Sequence, residues 1–275
     1  MSLFCFGNHL VNHAIKFIFT ALLMAPLAAL HAAEVKQGET NLPKLKIKTV
    51  DHQWQEPPIV DSKYDGALVS SPPGAVILFD GQNAGDWVAI PNAKDTNQSS
   101  QFIWKVENGF MEVVTPTGSR EQRLVSTKES VITSGHLHIE WATPAVVKGN
   151  GQGRGNSGVF IDGFPELQVL DSYNNKTYFD GQAAAFYKYR PPLVNACRGP
   201  GLWQCYDIYI QRAKMDTGKV VQPSVITVYH NRVLVQDHLI FSNAVQTSTL
   251  RLQDHLNPVR FRNIWFMPGE TAAQP

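Results

Sequence analysis

The sequence predicts an all-β fold, a sandwich or a barrel, on three observations. About a dozen short runs are rich in β-branched and aromatic residues, Gly, Pro, Asn and Asp bound them, and no long stretch carries a 3.6-residue period. Where a run alternates apolar and polar residues it has one core row and one outward row, because successive strand side chains point to opposite faces. No internal repeat is visible.

The elements follow in order. Residues 1–33 have the layout of a secretory signal peptide: Lys16 precedes an apolar stretch over 17–30 that ends in small residues, with cleavage expected after Ala32 or Ala33. The alternative is a short membrane anchor, but ~14 apolar residues broken by Pro26 fall short of the ~20 that cross a bilayer. The expectation is a secreted or periplasmic protein with no stable membrane insertion after cleavage. Residues 34–73 are polar and proline-punctuated, as in Glu56-Pro57-Pro58 and Ser71-Pro72-Pro73, and read as an extended arm over the surface. Strands are expected at 75–79, 102–106, 110–114, 136–141, 158–161, 167–170, 205–210, 225–229, 233–235, 250–252 and 259–266, within a domain over 74–268. Residues 269–275 form a tail.

Composition narrows the function. The 275 residues can bury a large core, and 43% are hydrophobic, with 14 Phe, 8 Tyr and 6 Trp, which argues against disorder. Only 17% are charged, and 24 Lys plus Arg nearly cancel 23 Asp plus Glu. A nucleic-acid binder that works by neutralising phosphates is therefore not expected.

Two strands carry candidate chemistry. In 135–141, Leu137, Ile139 and Trp141 form the core row, and His136, His138 and Glu140 form the other, which is either a solvated face or the lining of a concave site. In 165–171, Glu166 and Gln168 share a face. An undistorted strand separates Glu166 from Asp171 by ~16 Å, beyond the ~5–9.5 Å window of paired glycosidase carboxylates. Glu140 and Glu166, if on neighbouring strands, could meet that window. The loop 149–158 lacks the Lys-Ser/Thr ending of a phosphate cradle and reads as a flexible lead-in to a hairpin, with Arg154 and Asn156 able to present donors. Neither a Gly-x-Ser-x-Gly elbow nor a His-Glu-x-x-His zinc motif occurs. Beyond the signal, Cys197 and Cys205 flank a tight turn and are either a disulfide or two buried thiols.

Several motifs together are similar to one family. Phe79-Asp80-Gly81 with Trp87, Trp104-Lys105-Val106-Glu107-Asn108-Gly109, Gly155-Asn156-Ser157-Gly158-Val159-Phe160, Glu166-Leu167-Gln168-Val169-Leu170-Asp171, and Leu252-Gln253-Asp254-His255 with Phe261-Arg262-Asn263-Ile264 stand in the order found in the 3-keto-disaccharide hydrolase family. The stretches 171–178 and 230–238 most resemble planctomycete-type members. The resemblance implies a concanavalin-A-like jelly-roll sandwich of two antiparallel sheets, a concave sugar-binding face, and cleavage of glycosides oxidised to a ketone at carbon 3. Arg232 and Leu256 depart from it, standing where a turn glycine is common.

A carbon-3 ketone acidifies the proton on carbon 2 and opens elimination of the carbon-1 substituent, which calls for a base, donors for the enolate oxygen and an acid for the departing alcohol. Under this reading Glu166 is the acid or base, with His138 or His255 as the second proton-transfer group. Gln168 and Asn156 orient the substrate, Arg154 holds the ketone or enolate oxygen, and Tyr187 or Trp203 stacks on the sugar. The sequence fixes no cofactor. A divalent metal on Glu140, His138 or Asp254 is the alternative enolate stabiliser, though the spacing is not diagnostic. The competing readings are a noncatalytic lectin-like module and an ordinary glycosidase.

Overall fold

Alternation of apolar and polar residues resolves into two stacked antiparallel sheets in the computed structural model, which describes residues 54–90, 100–115 and 123–270. The first nine strands are β1 (Val76–Phe79), β2 (Trp87–Ile90), β3 (Lys105–Glu107), β4 (Phe110–Glu112), β5 (Arg123–Thr127), β6 (Gly135–Ala142), β7 (Ser157–Ile161), β8 (Leu167–Val169) and β9 (Gln204–Gln211). Then come β10 (Lys214–Asp216), β11 (Lys219–Gln222), β12 (Ser224–His230), β13 (Val233–Phe241), β14 (Leu250–Asp254) and β15 (Arg260–Pro268). The larger sheet has the order β13-β12-β9-β6-β15-β4-β3, with β1 also paired to β15; the smaller is β2-β5-β14-β7-β8, and β10-β11 is a separate hairpin. The protein is an all-β, concanavalin-A-like jelly-roll sandwich, with no α-helix among the described residues.

The sheets meet through the rows that alternation assigns to the interior. Leu137, Ile139 and Trp141 of β6 and Tyr206, Ile208 and Ile210 of β9 belong to one buried cluster with Val159 and Ile161 of β7, Leu167 and Val169 of β8, and Leu250 and Leu252 of β14. Complete burial of such side chains contributes about 1.5–3 kcal/mol each, so this interface dominates stability.

Four strands lie where the sequence reading expects none. β2 is only four residues long, β5 carries polar residues at both ends of its run, and β10 and β11 form an exposed hairpin with no core face to betray it. The signal segment lies outside the described residues. From Trp54 onward the chain crosses the outer face of the larger sheet with almost no strand structure of its own. Val60 N–H donates to Asn195 O at 3.0 Å, Lys63 N–H to Asn231 O at 3.1 Å, and Val69 N–H to Glu140 Oε1 at 3.0 Å.

Cys197 and Cys205 are both buried and unbridged. Of the two arrangements the sequence leaves open, the structure has the thiols.

Candidate active site

The face of β7, β8 and β14 that points away from the core carries Gly158, Gln168 and Gln253. Pairing places Gly158 opposite Gln168, and Val159 opposite Leu252, so these three residues form a row across the smaller sheet. Glu166 stands just before β8 on the same face. Its carboxyl lies over Gly158, where a Cβ would come within 2.8 Å of Glu166 Cδ. Glycine here is a space requirement: any side chain would push the carboxyl out of the row.

Around this row is a polar hollow of about 110 Å³, lined by Gln152, Asn156, Glu166, Gln168, Tyr187, Gln253 and His255. Burial pushes the Glu166 carboxyl up to about 7. Its amide neighbour can adjust to either protonation state. With its nitrogen towards the carboxyl, Gln168 donates to Glu166 Oε1 at 3.2 Å and to Ser157 O at 3.0 Å. With the amide reversed, its nitrogen donates to Gln152 Oε1 at 3.0 Å and its oxygen faces Glu166, an arrangement that suits a protonated acid.

The remaining walls are fixed by the glycine-rich loop and by the segment after β8. Asn156 Nδ2 donates to Gln152 O at 2.7 Å, and Gln152 Nε2 donates to Gly181 O at 2.6 Å and Thr177 Oγ1 at 3.0 Å. Tyr187 N–H donates to Glu166 O at 2.8 Å, which holds the phenol beside the acid. Its hydroxyl is 2.7 Å from that of Tyr178, whose ring lies 3.2 Å beneath the Lys188 ammonium. His255 is half-buried, and burial lowers its imidazole below the ordinary histidine value, so it is neutral at pH 7.

His255 also lines a second, larger cleft of about 550 Å³, whose walls include Pro144, Val146, Val147, Leu256 and Pro258. Arg154 belongs to this cleft rather than to the hollow. Its Nε donates to Asp171 Oδ2 at 2.6 Å and its Nη2 to Tyr173 O at 3.0 Å, so its guanidinium is already committed.

The structure thus brings together Glu166, Gln168, Asn156, Tyr187 and His255, and leaves three expected partners elsewhere. His138 and Glu140 sit on β6, in the other sheet, so Glu140 and Glu166 are not on neighbouring strands and cannot act as a glycosidase pair. The stripe they form is neither solvated nor a cavity lining: both side chains are fully buried. His138 Nδ1 bonds Asp207 Oδ1 at 2.6 Å and its ring stacks on Trp265. Burial alone would lower His138, but Asp207 and Glu140 raise it above the ordinary value. Glu140 accepts from Arg262 Nε and Asn263 Nδ2, each at 2.6 Å. Burial opposes its ionisation, yet the bonds from His138, Val69, Asn263 and Arg262 draw it down to about 2. Trp203 lies beside this cluster, with the Arg262 guanidinium 4.0 Å from its ring.

Asp254 ends β14 and accepts from Thr115 Oγ1 at 2.7 Å and Leu256 N–H at 2.9 Å. Of the expected metal ligands, His138 and Glu140 lie together, with Nε2 3.4 Å from Oε1, while Asp254 stands on the other sheet. His136, His138 and Asp207 do hold ligand-type atoms within 4.8 Å of one another, but Asp207 Oδ1 already bonds both imidazoles. Sequence reasoning missed Gln152, Gln253 and the spatial role of Gly158. Gln253 was within reach, since alternation along β14 puts it opposite the core residue Leu252.

Over residues 74–267 the sequence matches the 3-keto-alpha-glucoside-1,2-lyase-like domain. The chain belongs to this family. Among solved structures, a protein from Parabacteroides distasonis described as a "putative glycosyl hydrolase" is 32% identical, with a TM-score of 0.60, over 78% of this chain and 92% of its own. A second from the same organism, with the same description, is 16% identical, with a TM-score of 0.48, over 70% of this chain and 93% of its own. No curated protein matches the sequence. Membership in the 3-keto-alpha-glucoside-1,2-lyase-like family places the chain among carbohydrate-active domains, and the matched range includes every residue that lines the polar hollow.

Proposed function

We propose that this domain cleaves 3-keto glycosides by elimination across carbons 1 and 2, with Glu166 as the base. The observation that carries the reading is a carboxyl with a pKa of about 7, set among amide and phenol groups with no cation bonded to it. A base is most effective when its pKa lies near the working pH. Family membership and the likeness to the P. distasonis protein support a carbohydrate substrate.

In the proposed sequence Glu166 takes the proton from carbon 2, and the electron pair passes to the carbon-3 oxygen as an enolate. The enolate collapses, the bond from carbon 1 to the glycosidic oxygen breaks, and the departing alcohol gains a proton, leaving an enone to which water can add at carbon 1. Tyr187 can donate to the enolate oxygen while accepting from Tyr178. The proton the alcohol gains is the one Glu166 took from carbon 2, and His255, neutral and on the boundary of the two cavities, can hydrogen-bond the leaving oxygen. Gln168, Asn156 and Gln152 hold the sugar hydroxyls. The second carboxylate of an ordinary glycosidase is not needed. The signal-like segment supports action outside the cytoplasm, in the periplasm or beyond.

The test compares a 3-keto disaccharide with its unoxidised parent, using wild type and Glu166→Gln in deuterated water. Cleavage of the keto sugar alone, with deuterium gained at carbon 2 and activity lost in the variant, is the expected result. Equal cleavage of both sugars would overturn the proposal, and binding without cleavage would select the lectin-like reading.

A further inference from the structure

The larger cleft carries a statement about the substrate that rests on the Glu166 reading and goes beyond it. Its apolar wall consists of Pro144, Val146, Val147, Leu256 and Pro258. Val146, Val147 and Leu256 are 70%, 46% and 46% exposed. Of the polar side chains around the cleft, Lys148 stands exposed on its rim, and those beside the wall are largely paired. Arg154 and Asp171 hold each other, Asn257 Oδ1 accepts from Gly155 N–H at 3.0 Å, and Asn257 Nδ2 donates to His255 O at 2.8 Å. Against that wall a second sugar ring would find apolar surface where its hydroxyls need partners.

Leu256 adds an independent observation. It holds φ at 64°, a left-handed conformation that a branched side chain seldom adopts, at a site on the cleft wall. Backbone strain of this kind collects where function needs the side chain in place. Here the strain sets an apolar group next to His255, the residue shared with the hollow.

We infer that the cleft is the aglycone subsite and that it takes an apolar, aryl or terpenoid-like alcohol rather than a second sugar. The volume of about 550 Å³ fits a ligand of that size. Glycosides of apolar alcohols, oxidised at carbon 3 by a separate dehydrogenase class, would then be the preferred substrates.

Two measurements test this. In the first, the kcat/KM ratio of a 3-keto 4-methylumbelliferyl glucoside to a 3-keto disaccharide is measured for wild type, Leu256→Gly and Val147→Ser. The aryl substrate should lead in wild type, and the ratio should fall roughly tenfold in each variant, chiefly through KM, as expected for loss of apolar contact. In the second, free 4-methylumbelliferone is titrated by fluorescence, which needs no turnover; wild type should bind it and Leu256→Gly should bind it roughly tenfold more weakly. A disaccharide preference in wild type, or an unchanged ratio in both variants, overturns the inference, as does equal umbelliferone binding by wild type and Leu256→Gly. If umbelliferone binds as expected while neither keto substrate is cleaved, the cleft stands and the Glu166 reading fails.

Discussion

Glu166 carries two opposed consequences of burial. Its raised pKa means the folded protein holds a proton that the unfolded chain releases from about pH 4.5 upward. The stabilisation is therefore fully present below that pH and is lost as pH rises through about 7. Glu166→Gln should match wild type in stability at pH 5 and exceed it at pH 8 by on the order of 3 kcal/mol, read from urea midpoints at the two pH values. Activity should run the other way, with kcat/KM of wild type climbing through a limb near pH 7 as the base ionises. Gly158→Ala is expected to lower kcat at least a hundredfold with an intact fold by circular dichroism, because the added carbon displaces Glu166. At this scale the sequence was informative where alternation applies: Glu166, Gln168 and Gln253 share a face because of strand parity. It was silent on Gly158, because a glycine that makes room for a neighbour across the strand pair reads the same as a glycine in any turn.

At the scale of elements, the turn between β12 and β13 shows how local chemistry stands in for a missing glycine. Asn231 and Arg232 take φ values of 53° and 65°, the pair of left-handed residues that a two-residue hairpin requires. The turn geometry expected of a family glycine is kept with arginine in its place, and Leu256 does the same after β14. Asn231 is fixed by more than its backbone: its Oδ1 accepts from Cys205 N–H at 2.9 Å and its Nδ2 donates to Ala196 O at 2.8 Å. Asn231→Ala should cost about 3 kcal/mol, since it leaves buried groups without partners and places alanine in a left-handed position. The expected readout is a lower denaturant midpoint with an unchanged slope. In β15 the register shifts between Arg262 and Trp265, and Asn263, at φ 48°, turns its amide onto Glu140. No periodicity argument detects such a bulge, which is why the burial of His138 and Glu140 was not legible. Alternation gave their shared face and could not say what covers it.

For the molecule as a whole, the outer face of the larger sheet is closed by the segment from Trp54 to Pro73, and Glu140 is where that closure is tied. Val69, Arg262 and Asn263 all donate to its carboxylate, and Arg262 Nη2 also donates to Gly66 O at 2.7 Å. Removing one partner of such a buried set leaves the others uncompensated, at a cost of about 3–5 kcal/mol. Glu140→Gln should therefore lower the melting temperature markedly and expose the 54–73 segment to proteolysis, while Arg260→Gln, at a more exposed ion pair with Glu112, should change little. Because the Glu140 carboxyl is held down to about 2, this tie is complete above about pH 4.5 and loosens as pH falls towards 2. Acid should free the segment before it melts the sandwich, visible as protease cleavage ahead of the loss of tryptophan fluorescence. Two independent sequence signals, strand count and motif order, agreed on the sandwich because each samples many residues. Placing His138 and Trp203 beside Glu166 failed because it needed to know which strands are neighbours.

The two unbridged cysteines make the fold indifferent to reductant. Burial pushes the Cys197 thiol up to about 12 and raises Cys205 further still, so neither ionises readily nor meets an alkylating reagent in the native state. Refolding should proceed equally well with or without dithiothreitol. The rate at which iodoacetamide marks these sulfurs becomes a clock for how often the interior opens.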